Sequence, residues 1–267
     1  TPYTLFLIFF GILPALYAPI IAMLLGLIFR GVAFEYRWRT KRAEPLWNWA
    51  FTGGSVVAAF AQGVALGALV QGIPVENRAY TGGWWDWLTP FSVTTGLAVL
   101  IGYALLGATW LIMKTSGELA ERARRYAYVA GVATLVAMGI VSLWTPFLEP
   151  LYLQRWFSWP TAAFSLIVPA LVAACFLVLA HGLRTHHDSR PFIASLGLFV
   201  LGYAGIGISF YPYIVPTSVT IWDAAAPDES LAFLLVGALV LVPLILAYTA
   251  YAYWVFRGKV DPEEGYH

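Results

Sequence analysis

The sequence predicts an all-α protein that crosses a membrane seven times, its transmembrane helices packed in antiparallel bundles. Three observations carry this. The chain is 60% hydrophobic and only 11% charged, where a soluble domain carries roughly a quarter charged residues. Apolar runs of about 20 residues recur along the whole chain, each long enough to cross about 30 Å of hydrocarbon as a helix. None of the runs shows the period-two alternation of a barrel strand. Residues 1–267 read as one helical membrane domain, without internal repeat, low-complexity tract or soluble module.

In order, the spans are expected at about 7–30, 50–72, 90–113, 126–147, 160–183, 191–213 and 231–256. Pro14, Pro169 and Pro243 fall inside spans and are expected to kink them. The single Cys175 sits in an apolar run, so no internal disulfide forms. Net charge is +1, which gives no reason to expect nucleic acid. The chain opens TPYTLFLIFF, without Met or a basic leader, and reads as a beginning that lacks its true N-terminus.

Basic residues set the orientation. Arg30, Arg37, Arg39, Lys41 and Arg42 lie in the first connection, and Lys114, Arg122, Arg124 and Arg125 in the third. Arg184 and Arg190 lie in the fifth, and Arg257 and Lys259 in the tail. These 13 of the 15 Lys and Arg share one side, and only Arg78 and Arg155 lie on the other. The positive-inside rule makes the crowded side cytoplasmic, with the C-terminus on it. The opposite loops are aromatic: Trp84, Trp85 and Trp87, then Trp156 and Trp159, then Trp222. Most of these indoles read as an interfacial belt. Trp222 is followed by Asp223 in a loop without basic residues, where a subunit contact competes with the belt.

The spans hold no Asp, Glu, Lys or Arg near their middles. Ion-coupled transporters usually keep such a group at that depth, which counts against that class. A haem would need His or Met as axial ligand. His181 lies near the end of the fifth span and reads as an interfacial residue, while His186 and His187 read as solvated. No Cys/His cluster suggests a metal, and no phosphate-binding glycine loop is present. Small residues cluster at Gly53–Gly54, at Gly63, Ala65, Gly67 and Ala68, and at Gly202, Gly205 and Gly207. They permit close helix contact, within the chain or with a partner subunit.

Arg30 and Glu35 remain. Arg30 ends an apolar run and precedes Gly31, a natural helix stop. The bland reading is a snorkelling helix-end cation and an exposed carboxylate paired with Arg39 at i,i+4. The sharper reading, a joint site, needs the helix to break near Gly31 so that the two side chains meet.

Several stretches, in order, resemble one family. LIFRGVAFEYRWR followed by WNWAFTGGS, then QGIPVENRAYTGGWWDWLTPF at 71–91, resemble subunit II of the cytochrome bd family of quinol oxidases. GATWLIMKTSGELAERAR at 107–124 is similar to that family's next cytoplasmic turn. SFYPYIVPTSVTIWDAAAPDESL at 209–231, leading into AYTAYAYWVFRGKV, is similar to its C-terminal end. The sequence does not separate the cyanide-insensitive branch. Family members have eight helices in this subunit; the first, with the acidic His-Trp-Asp-Gly motif after it, has no counterpart here.

The resemblance implies a haem-free subunit II of a bd-type quinol:oxygen oxidoreductase in a bacterial inner membrane. It implies a partner, subunit I, that carries haem b and haem d, with cytoplasmic protons consumed in reducing oxygen to water. A structural quinone, membrane lipids and a small accessory subunit are further partners that it allows. Glu35 matches a family position held by Asp or Glu, where a proton-uptake role has been proposed. Together with Arg30 it is the expected mouth of a proton path, and Trp222 and Asp223 are the expected subunit contact. The competing class is a polytopic transporter or permease.

Overall fold

The computed structural model describes residues 7–39, 41–76, 79–159 and 161–259. Arg78 and the opening residues 1–6 lie outside the described residues. Seven helices there are long and apolar enough to cross a membrane. They are α1 (Leu13–Arg39), α2 (Glu44–Val70), α3 (Pro90–Lys114), α4 (Gly117–Trp144), α6 (Thr161–Arg184), α7 (Arg190–Phe210) and α9 (Asp228–Val255). The short helices α5 (Pro150–Phe157) and α8 (Ile221–Ala224) lie in connections. The architecture is all-α and polytopic, as the apolar runs predict.

Two of the predicted boundaries move for physical reasons. The first helix does not stop at Gly31: it runs unbroken to Arg39. Gly31 keeps a negative φ, and no proline follows to end the helix, so helical hydrogen bonding continues beyond the apolar stretch. The fourth helix starts at Gly117, nine residues before the expected boundary at 126, because the charged segment GELAERARR is itself helical. Pro14 sits where a π-helical turn over Leu7–Ile12 passes into α1. Pro19, Pro169 and Pro243 lie inside helices.

Glycines set the closest helix contacts. Gly63 and Gly67 of α2 bring it against Gly96 and Ser92 of α3, where an added methyl would come within 2.7 Å and 2.6 Å of the facing Cα atoms. These clusters therefore pack within the chain. Gly53 and Gly207 face open space. Gly72 and Gly117, at φ +87° and +67°, make the turns that leave α2 and enter α4. One core joins α3, α4, α6 and α7 through Leu105, Ile112, Ala127, Leu179 and Leu198. Within it the Thr109 and Ser195 hydroxyls lie 2.9 Å apart, each also bonded to a backbone carbonyl of its own helix.

On one side the loops interlock. A hairpin pairs Val75 with Tyr80 and Glu76 with Ala79, and a second pairs Tyr213–Val215 with Val219–Thr220. The Ser218 hydroxyl donates to the Ile73 carbonyl at 2.6 Å, and the buried Tyr152 hydroxyl of α5 donates to the Val70 carbonyl at 2.7 Å. A Thr89–Ser92 capping box opens α3, and the Thr89 hydroxyl reaches Gln71 at the end of α2. α9 stands apart: nothing in its apolar window is buried.

Candidate functional site

Arg30 and Glu35 share one unbroken helix, so the break near Gly31 that a joint site needs is absent and the two side chains do not meet. Five residues at about 100° each leave them about 140° apart around the helix. Arg30 lies one turn beyond Gly26, on the face towards α2, and its guanidinium sits 5.5 Å from the centre of the Phe51 ring. Glu35 turns away and lies 3.3 Å from Arg39 Nη2. Its side chain is 65% exposed, so the ion pair is a solvated i,i+4 contact worth about 0.3–0.5 kcal/mol. Tyr36 stacks on Trp47 at 5.3 Å and ties the end of α1 to the start of α2. The site here is an exposed carboxylate within a basic, aromatic turn.

A second charged group lies at the same end of the bundle. Arg124 of α4 is only 10% exposed. Its Nε lies 3.6 Å from Glu121 and its Nη2 lies 3.9 Å from Asp188, in the turn between α6 and α7. Those distances pair charges without making hydrogen bonds, and Nε and Nη1 are buried with no hydrogen-bond partner among the described residues. Lys259 bonds the other oxygen of Asp188 at 2.7 Å, and His186 Nδ1 lies 3.5 Å from Glu121. Lys114 Nζ bonds the carbonyls of Phe256 and Gly258. The end of α9 is therefore fastened to the turns flanking α4 and α7. Sequence reasoning treated Arg124 as one of a run of loop cations. The signal that distinguishes it is helical phase: Ala120, Ala123, Ala127 and Gly131 form the buried stripe of α4, and Arg124 lies on it.

On the opposite side, Trp222 is exposed and meets the Tyr211 ring edge-on at 6.1 Å. Asp223 caps α8: its carboxylate accepts from the Thr220 hydroxyl at 2.5 Å and from the Thr220 backbone N–H at 3.2 Å. Those bonds hold its carboxyl below the usual carboxylate range. Both residues present themselves outward, and neither touches Arg30 or Glu35. Nearby, the Tyr80 hydroxyl lies 2.9 Å from Asp86. Burial, then the hydrogen bond and charge of Asp86, push the Tyr80 phenol up to about 12. His181, in the last turn of α6, is exposed, as are His186 and His187 just beyond.

Comparison with known proteins places this geometry in a family. The profile for cytochrome bd terminal oxidase subunit II matches residues 7–256. Cytochrome bd-I ubiquinol oxidase subunit 2 of Escherichia coli K12 is 29% identical over 284 residues, covering 93% of this chain and 75% of that protein. Cytochrome bd ubiquinol oxidase subunit 2 of Bacillus subtilis is 26% identical over 261 residues, covering 93% and 74%. A chain of the bd oxidase from Geobacillus thermodenitrificans superposes with a TM-score of 0.70 at 17% identity, covering 89% of this chain and 72% of that one, a likeness of fold. With a profile match over all seven long apolar helices, this chain is a multi-pass bacterial membrane protein and belongs to the cytochrome bd terminal oxidase subunit II family.

Proposed function

We propose that this chain is the haem-free subunit II of a bd-type quinol:oxygen oxidoreductase. It works as one helical membrane domain beside a haem-bearing subunit I, which it supports while contributing to proton supply. The observation that carries this is the family match over residues 7–256. The exposure of His181, His186 and His187 supports assigning haem b and haem d to the partner. The side crowded with Lys and Arg is read as cytoplasmic, which puts the C-terminus inside a bacterial inner membrane. Glu35 is read as the proton collector on that side, with Arg30 helping to hold the mouth positive, and Trp222 and Asp223 as a contact with another subunit. A quinone, lipids and a small accessory subunit are the remaining candidate partners.

The test is purification of the complex from its native membrane. The expected result is a second, larger chain together with haem b and haem d absorption bands. Those bands should be unchanged when His181→Ala is introduced with assembly intact. A colourless single-chain preparation that takes up a solute would instead establish the transporter reading.

A further inference from the structure

We propose that Asp188 is a two-position latch on α9. In one position its carboxylate holds Lys259 and fastens the end of α9. In the other it turns to accept hydrogen bonds from the buried guanidinium of Arg124 and lets that end go. The device lies within this chain and goes beyond its reading as an oxidase subunit.

The first observation is a buried cation short of hydrogen bonds. Arg124 lies on the buried stripe of α4 with its side chain only 10% exposed, and its Nε and Nη1 have no hydrogen-bond partner among the described residues. Glu121 at 3.6 Å and Asp188 at 3.9 Å both lie beyond bonding range. Glu121 stands on the same helix and is shared with His186 Nδ1 at 3.5 Å. A buried charge left without its bonds is costly, and a guanidinium matches a carboxylate through two parallel N–H donors. Asp188 therefore gains by moving about 1 Å towards Arg124.

The second observation is what restrains that movement. Lys259 Nζ holds the other oxygen of Asp188 at 2.7 Å. Lys259 is not free to follow the carboxylate, because Lys114 Nζ holds the carbonyls of Phe256 and Gly258 just before it. The backbone of the turn is fixed as well. The Thr185 N–H donates to the His181 carbonyl at 2.9 Å and the His187 N–H to the Gly182 carbonyl at 3.0 Å, closing the end of α6 with His186 left-handed at φ +55°. What is left to move is the half-exposed Asp188 side chain. One carboxylate thus faces two cations, and closing on either draws it from the other.

The third observation is how little else holds α9. Nothing in its apolar window is buried. Its polar and ring contacts with other elements, among the described residues, gather at its last turn and just beyond. Tyr253 meets Trp110 at 5.9 Å, Lys114 holds two carbonyls, and Lys259 holds Asp188. With so few fastenings, exchanging one of them moves the helix end. Lys259 and Asp188 are each about half exposed, while Arg124 is buried. Salt therefore weakens the Lys259 position more than the Arg124 position and drives the latch towards release.

The experiment uses the full chain assembled in its own membrane and reads the rate of trypsin cleavage after Arg257 and Lys259. Arg124→Leu removes the competitor, so Asp188 stays with Lys259 and cleavage should slow about 3-fold or more. If Arg124 only steadies Asp188, the same change leaves cleavage unaltered or faster, and the latch is overturned. Adding Asp188→Ala should abolish the effect of Arg124→Leu; a slowing that persists without Asp188 overturns the latch as well. Where Arg124→Leu fails to assemble, Arg124→Lys takes its place: it keeps the charge without the two parallel donors, and it too should slow cleavage. Cleavage at or above the wild-type rate in assembled Arg124→Lys overturns the latch.

Discussion

A methyl group on Gly54 would lie 2.5 Å from the carbonyl oxygen of Gly26, and one on Gly26 would lie 2.7 Å from the carbonyl oxygen of Gly54. The two glycines are reciprocal: α1 and α2 touch backbone to backbone there. Gly54→Val must separate the helices, and overpacking of this kind costs about 1–3 kcal/mol. Gly53→Ala meets nothing within 4 Å and should be neutral or slightly stabilising, because alanine favours a helix by about 1 kcal/mol over glycine. Thermal unfolding of the two variants in the same detergent checks the contrast. An equal loss for both would show that the crossing does not rest on Gly54.

Asp188 holds two cations from different elements, Arg124 and Lys259. Asp188→Ala leaves the guanidinium of Arg124 with Glu121 alone and releases the segment after α9. Asp188 is about half exposed, so after screening the loss is about 1 kcal/mol. The sharper readout is limited trypsin digestion, since Arg257 and Lys259 follow α9 directly. Cleavage there should accelerate several-fold in Asp188→Ala and, because the wild-type contact is ionic, also in wild type at high salt. Cleavage at the wild-type rate would mean that Lys114 alone fastens α9.

The membrane fold was readable from the sequence because seven apolar runs of sufficient length admit few other arrangements. What was hidden depended on direction rather than residue type. Gly53 and Gly54 look alike in sequence, and only the phase of α2 against α1 separates the contact from the open surface. Gly31 resembles a helix stop, but a glycine stops a helix only where the backbone turns left-handed, and here it does not.

The Tyr80–Asp86 contact makes the hairpin that pairs Val75 with Tyr80 sensitive to alkali. The Tyr80 phenol, ordinarily near 10, is pushed to about 12. The folded loop thus favours the neutral phenol, and its stabilisation is complete below pH 10 and lost as pH rises through 12. Asp86→Asn removes the charge and should bring the Tyr80 titration back towards the ordinary value. The measurement is the tyrosinate absorbance of each protein minus that of its Tyr80→Phe counterpart. An unmoved titration in Asp86→Asn would leave burial as the whole cause.

Glu35 offers the test of proton supply. Its carboxylate faces water one turn from Arg39 and on the opposite flank of α1 from Arg30. A solvated carboxylate can exchange protons with bulk water, but it cannot carry them inward alone. The role proposed for it is therefore that of an antenna at the mouth of a path. Glu35→Gln keeps the size and removes the proton site. It should slow quinol-driven oxygen uptake several-fold, most at high pH where protons are scarce, and leave haem content unchanged. Glu35→Asp should retain most of the rate. Arg39→Ala removes the ion pair while keeping the carboxylate, so it should lower stability by no more than about 0.5 kcal/mol and leave turnover near wild type. If Glu35→Gln turns over like wild type at every pH, or if Arg39→Ala matches the loss in Glu35→Gln, the pair is only a surface contact and protons enter elsewhere.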